Sequence, residues 1–209
     1  MKNLIRKYIL AGATSLVAIS SAYLIIPHEG GKVNELGDHV PYIDMVGVLT
    51  TCNGMTGKDP LGRPIDKNST YSQDFCDKWY TKEVSTYNSQ MKKNVRVPLS
   101  PHEEVAYTSF VWNVGVGAWN NSTLLKKLNA NDKVGACNEI LKWNKGTFSR
   151  QASLQQTKNG EICTPKPNGT FSCTIKGLTN RRTFERDVCL GNNSEVNSAL
   201  KHLNAPHRP

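Results

Sequence analysis

Nineteen consecutive uncharged residues, Tyr8 to Ile26 (YILAGATSLVAISSAYLII), follow Arg6 and Lys7 and precede Pro27. As a helix rising about 1.5 Å per residue this run would reach about 28 Å, against a bilayer hydrocarbon core of about 30 Å. The basic residues ahead of it predict that residues 1–7 stay in the cytoplasm and that the body lies across the membrane. Nine of the nineteen residues are Gly, Ala, Ser or Thr, which makes insertion only marginally favourable. Three readings fit such a segment. It could be a cleaved signal peptide, with Ser20-Ser21-Ala22 as the small-residue site, although the apolar YLII continues past it. It could be a permanent anchor, or an uncleaved signal that anchors first and later leaves the bilayer. All three deliver the body to the periplasm.

That compartment gives the cysteines a use. Six are present, Cys52, Cys76, Cys137, Cys163, Cys173 and Cys189, with no C-x-x-C spacing and no adjacent histidine. Disulfides are expected and zinc is not. The formal charge of +9 favours anionic partners, but its cations are scattered in short groups such as MKK, LLKKL and NRR, which reads as a solvated surface and not as a nucleic-acid stripe. A chain of 209 residues can bury a core by itself, so a monomer is expected.

Along the body, residues 27–97 show a mixed pattern. A segment near Glu29 to Gly37 reads as a short helix, MVGVLTTC as a strand, and GKDPLGRPID as turn-rich with room for another strand. SQDFCDKWYTKEVSTYNSQMKKN, with Phe75, Trp79, Val84 and Tyr87 near helical spacing, predicts a long helix linking two lobes. Residues 98–209 are mostly helical. Ser100, Pro101 and Glu103 form a capping-box start, and further helices are expected at STLLKKLN, NDKVGACNEILKW, TNRRTFERDVCL and SEVNSALKHL. Residues 145–177 are polar and read as an inserted loop, with Pro167-Asn168-Gly169 as a turn. No phosphate loop, metal motif or nucleophile elbow is present, and neither a metal nor a cofactor is expected.

The stretch from His28 to Gly54 repeats one carboxylate spacing, Glu29 with Asp38 and Glu35 with Asp44. Cleavage of a glycosidic bond needs one carboxyl to protonate the leaving oxygen and a second polar group to hold water on the opposite face of the sugar. Six residues beyond Asp44 stands Thr50, a hydroxyl suited to that water, so Glu35, Asp44 and Thr50 make E-x8-D-x5-T.

With PYIDMVGVLTTCNGMTGKD, YTSFVWNVGVGAWNNSTLLKKLN, GACNEILKW and KGLTNRRTFERDVCL in order behind it, this triad resembles the phage lysozyme-type endolysins, most closely the signal-anchor-release endolysins. The resemblance implies an α+β lysozyme-like fold, with a small mixed N-terminal lobe and a larger helical one flanking a cleft. It also implies hydrolysis of the β-1,4 bond between N-acetylmuramic acid and N-acetylglucosamine in peptidoglycan. In that reading Glu35 is the general acid, Asp44 positions or activates water and Thr50 is its hydrogen-bonding partner. Trp112 and Asn113 fall on the cleft wall, and Arg181 falls where a family arginine pairs with the acid. The segment 8–26 becomes an inner-membrane anchor that is later released, and its escape lets the N-terminal segment fold onto the body. Two departures stand out: Gly follows Glu29 and not Glu35, and Met55 replaces a common His. The disulfides expected are Cys163–Cys173, Cys52–Cys76 and Cys137–Cys189, out of fifteen possible pairings. A lytic transglycosylase on the same bond and a non-catalytic wall-binding protein are the rival readings.

Overall fold

The computed structural model describes residues 15–25, 31–44, 47–52 and 54–203. The described residues open with a short helix α1 (Leu16–Ile19), continued by a π-helical stretch, Ser20–Ile25. Two small antiparallel sheets follow. One pairs β1 (Lys32–Val33) with β2 (His39–Val40); the other runs β3 (Tyr42–Ile43), β4 (Leu49–Thr51) and β5 (Met55–Thr56). Helix α2 (Gln73–Lys92), capped by Ser72, leads to the second lobe. That lobe holds α3 (Pro101–Val114), α4 (Val116–Asn120), α5 (Thr123–Asn129), α6 (Lys133–Glu139), α8 (Lys176–Cys189) and α9 (Ser194–Leu203). Between α6 and α8 lie β6 (Lys145–Phe148), α7 (Arg150–Lys158), β7 (Cys163–Pro165) and β8 (Phe171–Thr174).

The α+β, two-lobed architecture is the expected one. The capping box is formed in full: the Ser100 hydroxyl accepts from the Glu103 N–H while the Glu103 carboxylate accepts from the Ser100 N–H. Helix α3 is the axis of the larger core, where Val105, Ala106, Tyr107, Phe110 and Val111 are buried with Trp119, Leu124, Leu128 and Ile140. A second core, Met55, Tyr71, Trp79, Tyr80 and Val84 among others, joins the strands to α2. All three expected disulfides are present, Cys52–Cys76, Cys137–Cys189 and Cys163–Cys173.

The described part of the apolar N-terminal segment, residues 15–25, belongs to these cores. Ile19, Tyr23 and Leu24 pack in the larger and Ile25 in the smaller, with Leu24 and Ile25 fully buried. The Ser20 hydroxyl is also buried and donates to the Val105 carbonyl at 2.9 Å, which satisfies a polar group that would otherwise be costly inside. No helix among the described residues is long and apolar enough to cross a membrane. Residues 1–14 and 26–30 of the proposed span and its link, Glu29 included, lie outside the described residues.

Three local expectations need correction. Residues 31–37 are strand and turn instead of helix: the Asn34 side chain accepts from the Leu36 and Asp38 N–H groups at 3.0 Å, and Gly37 sits at φ 83°, both incompatible with a continuing helix. GKDPLGRPID contributes only an isolated bridge between Lys58 and Pro64, because Asp59 gathers the turn by accepting from Leu61, Arg63 N–H and Arg63 Nε. Residues 145–177 are no plain loop. They fold as a three-stranded sheet, β6-β8-β7, backed by α7, with Pro167-Asn168-Gly169 at the tip of the β7–β8 hairpin.

Candidate active site

Asp44 directly follows β3 and Thr50 lies in β4, and the two strands are tied by two backbone bonds, Asp44 N–H to Val48 O and Gly47 N–H to Asp44 O. Gly47 holds φ at 85°, in the region that glycine alone enters freely. The hairpin folds the Asp44 carboxylate back onto its own strands. Asp44 Oδ1 accepts from the Val48 N–H at 2.9 Å, and Oδ2 accepts from the Thr50 hydroxyl at 3.2 Å. Thr50 is buried and Asp44 half-buried, so the pair is fixed from below with the carboxylate reachable from solvent.

β4 pairs with β5 so that Thr50 faces Thr56 across the ladder. Thr56 in turn lines a groove of about 430 Å³ between the β5 edge and the helices. Gly54, Met55 and Lys58 share its strand-side wall, while Trp79, Glu83 and Tyr87 from α2 and Trp112 and Asn113 from α3 form the other. Trp112 packs against Tyr80 and Tyr87, each with ring centroids 5.1 Å away, which holds an aromatic plane at the groove. Asn113 is oriented from behind: the Arg182 guanidinium donates to its side-chain oxygen, to Glu185 and, through Nε at 3.1 Å, to the Trp143 carbonyl. Glu185 also accepts from Ser109 at 2.7 Å and from Arg181 Nε at 3.1 Å. Burial lowers the Arg182 guanidinium from its usual value, but Glu185 favours the charged form, so a buried ion pair backs the groove wall.

The structure therefore brings Asp44 to Thr50 and seats Trp112 beside Asn113. Arg181 is buried in the helical lobe with Glu185, and Glu35 is exposed in the β1–β2 turn. Sequence reasoning missed Lys58, Glu83, Tyr87, Arg182 and Glu185. The last two carried a readable signal, the i,i+3 and i,i+4 spacing of Arg182 and Arg181 to Glu185 in RRTFE. Met55, which stands where the resemblance puts a common histidine, is a buried member of the smaller core as well as a groove residue.

Two lobes, a polar-and-aromatic groove between strand edge and helices, and an Asp–Thr pair on the strand side together define a lysozyme-like glycosidase. Residues 34–161 match the phage lysozyme family model, and the chain belongs to that family. It is similar to the SAR-endolysin of bacteriophage PS119, 35% identical over 191 residues that cover 91% of this chain and 96% of the relative. It is also similar to that of Enterobacteria phage P21, 31% identical over 87% of this chain and 93% of the relative. Among solved structures, an endolysin from Escherichia coli O157:H7 phage FAHEc1 superposes with TM-score 0.62 at 25% identity, over 81% of this chain and 90% of that one. The active form of P1 phage endolysin Lyz gives TM-score 0.60 at 17% identity, over 91% and 96%, a likeness of fold. The chain is thus a glycoside hydrolase of the lysozyme type, an endolysin whose polymer is peptidoglycan.

Proposed function

We propose that the groove holds a peptidoglycan glycan strand and that the Asp44–Thr50 pair works on the water side of the β-1,4 bond between N-acetylmuramic acid and N-acetylglucosamine. Asp44 takes or directs the proton of the attacking water, and Thr50 fixes the carboxylate's orientation while offering its oxygen to that water. A carboxyl from the N-terminal segment protonates the leaving oxygen. Trp112 stacks on a sugar face and Asn113 reads an acetamido group. The observation that carries this reading is the 3.2 Å contact from Thr50 Oγ1 to Asp44 Oδ2, made on the strand next to the groove wall.

Glu35 is the acid by spacing; Arg181, expected as its charge partner, is instead buried against Glu185. A second reading gives the role to Glu29: Glu35 is exposed at a hairpin tip, whereas an acid works best shielded, and it is Glu29 that Gly follows. Glu35→Gln and Glu29→Gln, compared for release of reducing ends from purified peptidoglycan, decide between them. Loss in the first alone supports Glu35, loss in the second alone supports Glu29, and full activity in both removes the proposed acid. Products ending in 1,6-anhydro sugars would replace hydrolysis by transglycosylation.

The N-terminal segment supplies the control. In this reading Tyr8 to Ile26 first spans the host inner membrane with the body in the periplasm, then leaves the bilayer. What supports it is that Leu24 and Ile25 are completely buried in the body and Ser20 is bonded to Val105. These side chains cannot occupy lipid and core together, so insertion withholds part of the core and release completes it. A Leu-rich anchor in place of Tyr8 to Ile26 should hold the enzyme inactive; full lysis from that chimera would sink the proposal.

A further inference from the structure

The sheet β6-β8-β7 has two unlike faces. Its register sets Lys145 opposite Thr174, Thr147 opposite Ser172, and Thr164 also opposite Ser172. Opposed residues share a face and successive residues alternate, so these five lie on one side and Phe148, Cys163, Phe171 and Cys173 on the other. The cysteine side is covered: Cys173 is buried, and Cys163 Sγ lies 3.6 Å from the Ser153 carbonyl of α7. On the opposite side Lys145, Thr147 and Thr164 are exposed. Lys166, just past β7, reaches across it to donate to the Thr147 hydroxyl at 2.7 Å, which places its ammonium over the same face.

No carboxylate pairs with Lys145 or Lys166 among the described residues. Between 145 and 177 five cations, Lys145, Arg150, Lys158, Lys166 and Lys176, meet one carboxylate, Glu161. Glu161 is itself engaged, accepting from the Thr174 hydroxyl at 3.2 Å and the Lys176 N–H at 2.6 Å. The face thus offers hydroxyls flanked by two ammonium groups. Its position adds meaning. Trp143, two residues before β6, accepts from the guanidinium of Arg182 that also holds Asn113 in the groove wall.

We propose that this face is an accessory binding surface for the carboxylate-bearing peptides that branch from the glycan strand, and that it favours peptide-decorated wall over bare glycan. The proposal rests on the groove being the glycan site. Two ammonium groups suit carboxylates, the threonine hydroxyls suit peptide amides, and each exposed charge pair adds modestly and is screened by salt.

The test uses the full chain in its released form, with Lys145→Gln/Lys166→Gln and Lys145→Arg/Lys166→Arg as variants. Substrates are intact sacculi and the same sacculi stripped of peptides by an amidase. The Gln variant should raise KM on intact sacculi by about three- to tenfold with kcat unchanged. It should match wild type on stripped glycan and in high salt, and the Arg variant should restore KM. Equal KM ratios between the two substrates in wild type and Gln variant would overturn the proposal. So would lost co-sedimentation with phosphatidylglycerol vesicles alongside an unchanged KM, which would make the face a lipid contact. Failure of the groove reading looks different: wild type then frees no reducing ends from either substrate, and co-sedimentation with sacculi still decides whether the two lysines bind the peptides.

Discussion

Leu24 is where the account of the N-terminal segment meets a number. Its side chain has no exposed surface and lies in the core built on Val105, Ala106 and Phe110. Leu24→Ala in the released protein removes three buried carbons and leaves a cavity that rigid α3 cannot collapse into, at about 3 kcal/mol within a range of about 2 to 5. For a chain of this size about 2 to 4 °C of Tm goes with each kcal/mol, so the melting temperature should fall by about 6 to 12 °C. Leu16, only partly buried at the edge of the same core, serves as the internal comparison, and Leu16→Ala should lower Tm by no more than about half as much. Calorimetry at neutral pH with the disulfides intact reads both. An unchanged Tm for Leu24→Ala, or equal losses for the two variants, would mean that the segment does not complete the core, and the reasoning about release would fail with it.

Thr50→Val removes the hydroxyl that holds Asp44 and should cut the rate of reducing-end release by about 10- to 100-fold, whereas Thr50→Ser should keep most of it; equal rates would separate Thr50 from the chemistry. Breaking Cys137–Cys189, whose cysteines are 52 residues apart, by a double Ser substitution should cost about 4 kcal/mol by loss of chain constraint, read as a lower Tm in non-reducing buffer. Glu139 bridges Lys127 and Lys142 at 2.8 Å each, and these bonds hold its carboxyl below the ordinary 4.5. Because the folded value is depressed, its stabilisation is present above about pH 4.5 and is lost as pH falls through the folded value; Glu139→Gln should flatten the acid limb of the stability curve there. Trp112→Ala should raise KM for glycan substrates through loss of the stacking plane, and an unchanged KM would remove Trp112 from the groove's work.

What could be read in the chain beforehand follows the range of the forces involved. Helices announce themselves locally, so α2, the capping box of α3 and the short helices after it stood out from spacing and caps. β6 did not, because its partner β8 lies beyond helix α7 and strand β7, and Lys145 meets Thr174 only once the whole module has folded. α7 was hidden for another reason: RQASLQQTK offers a cap at Ser149 but no apolar stripe. The error at 31–37 came from Asn34 and Gly37, whose turn chemistry overrode a weak helical pattern. In the site, Asp44 and Thr50 were legible because one hairpin suffices to join them. The residues that line the groove come from α2, the α3 end and the β5 edge, and Arg182 reaches Asn113 across 69 positions, a convergence that no local window reveals.

The most direct measurement is the initial rate of reducing-end release from purified peptidoglycan by wild type and by Asp44→Asn, an isosteric change that keeps a side-chain oxygen for the Val48 N–H. A loss of about 100-fold or more, with the melting temperature unchanged, is the expected result. An Asp44→Asn protein that hydrolyses the wall at the wild-type rate would contradict the assignment of the Asp44–Thr50 pair as the water side of the site.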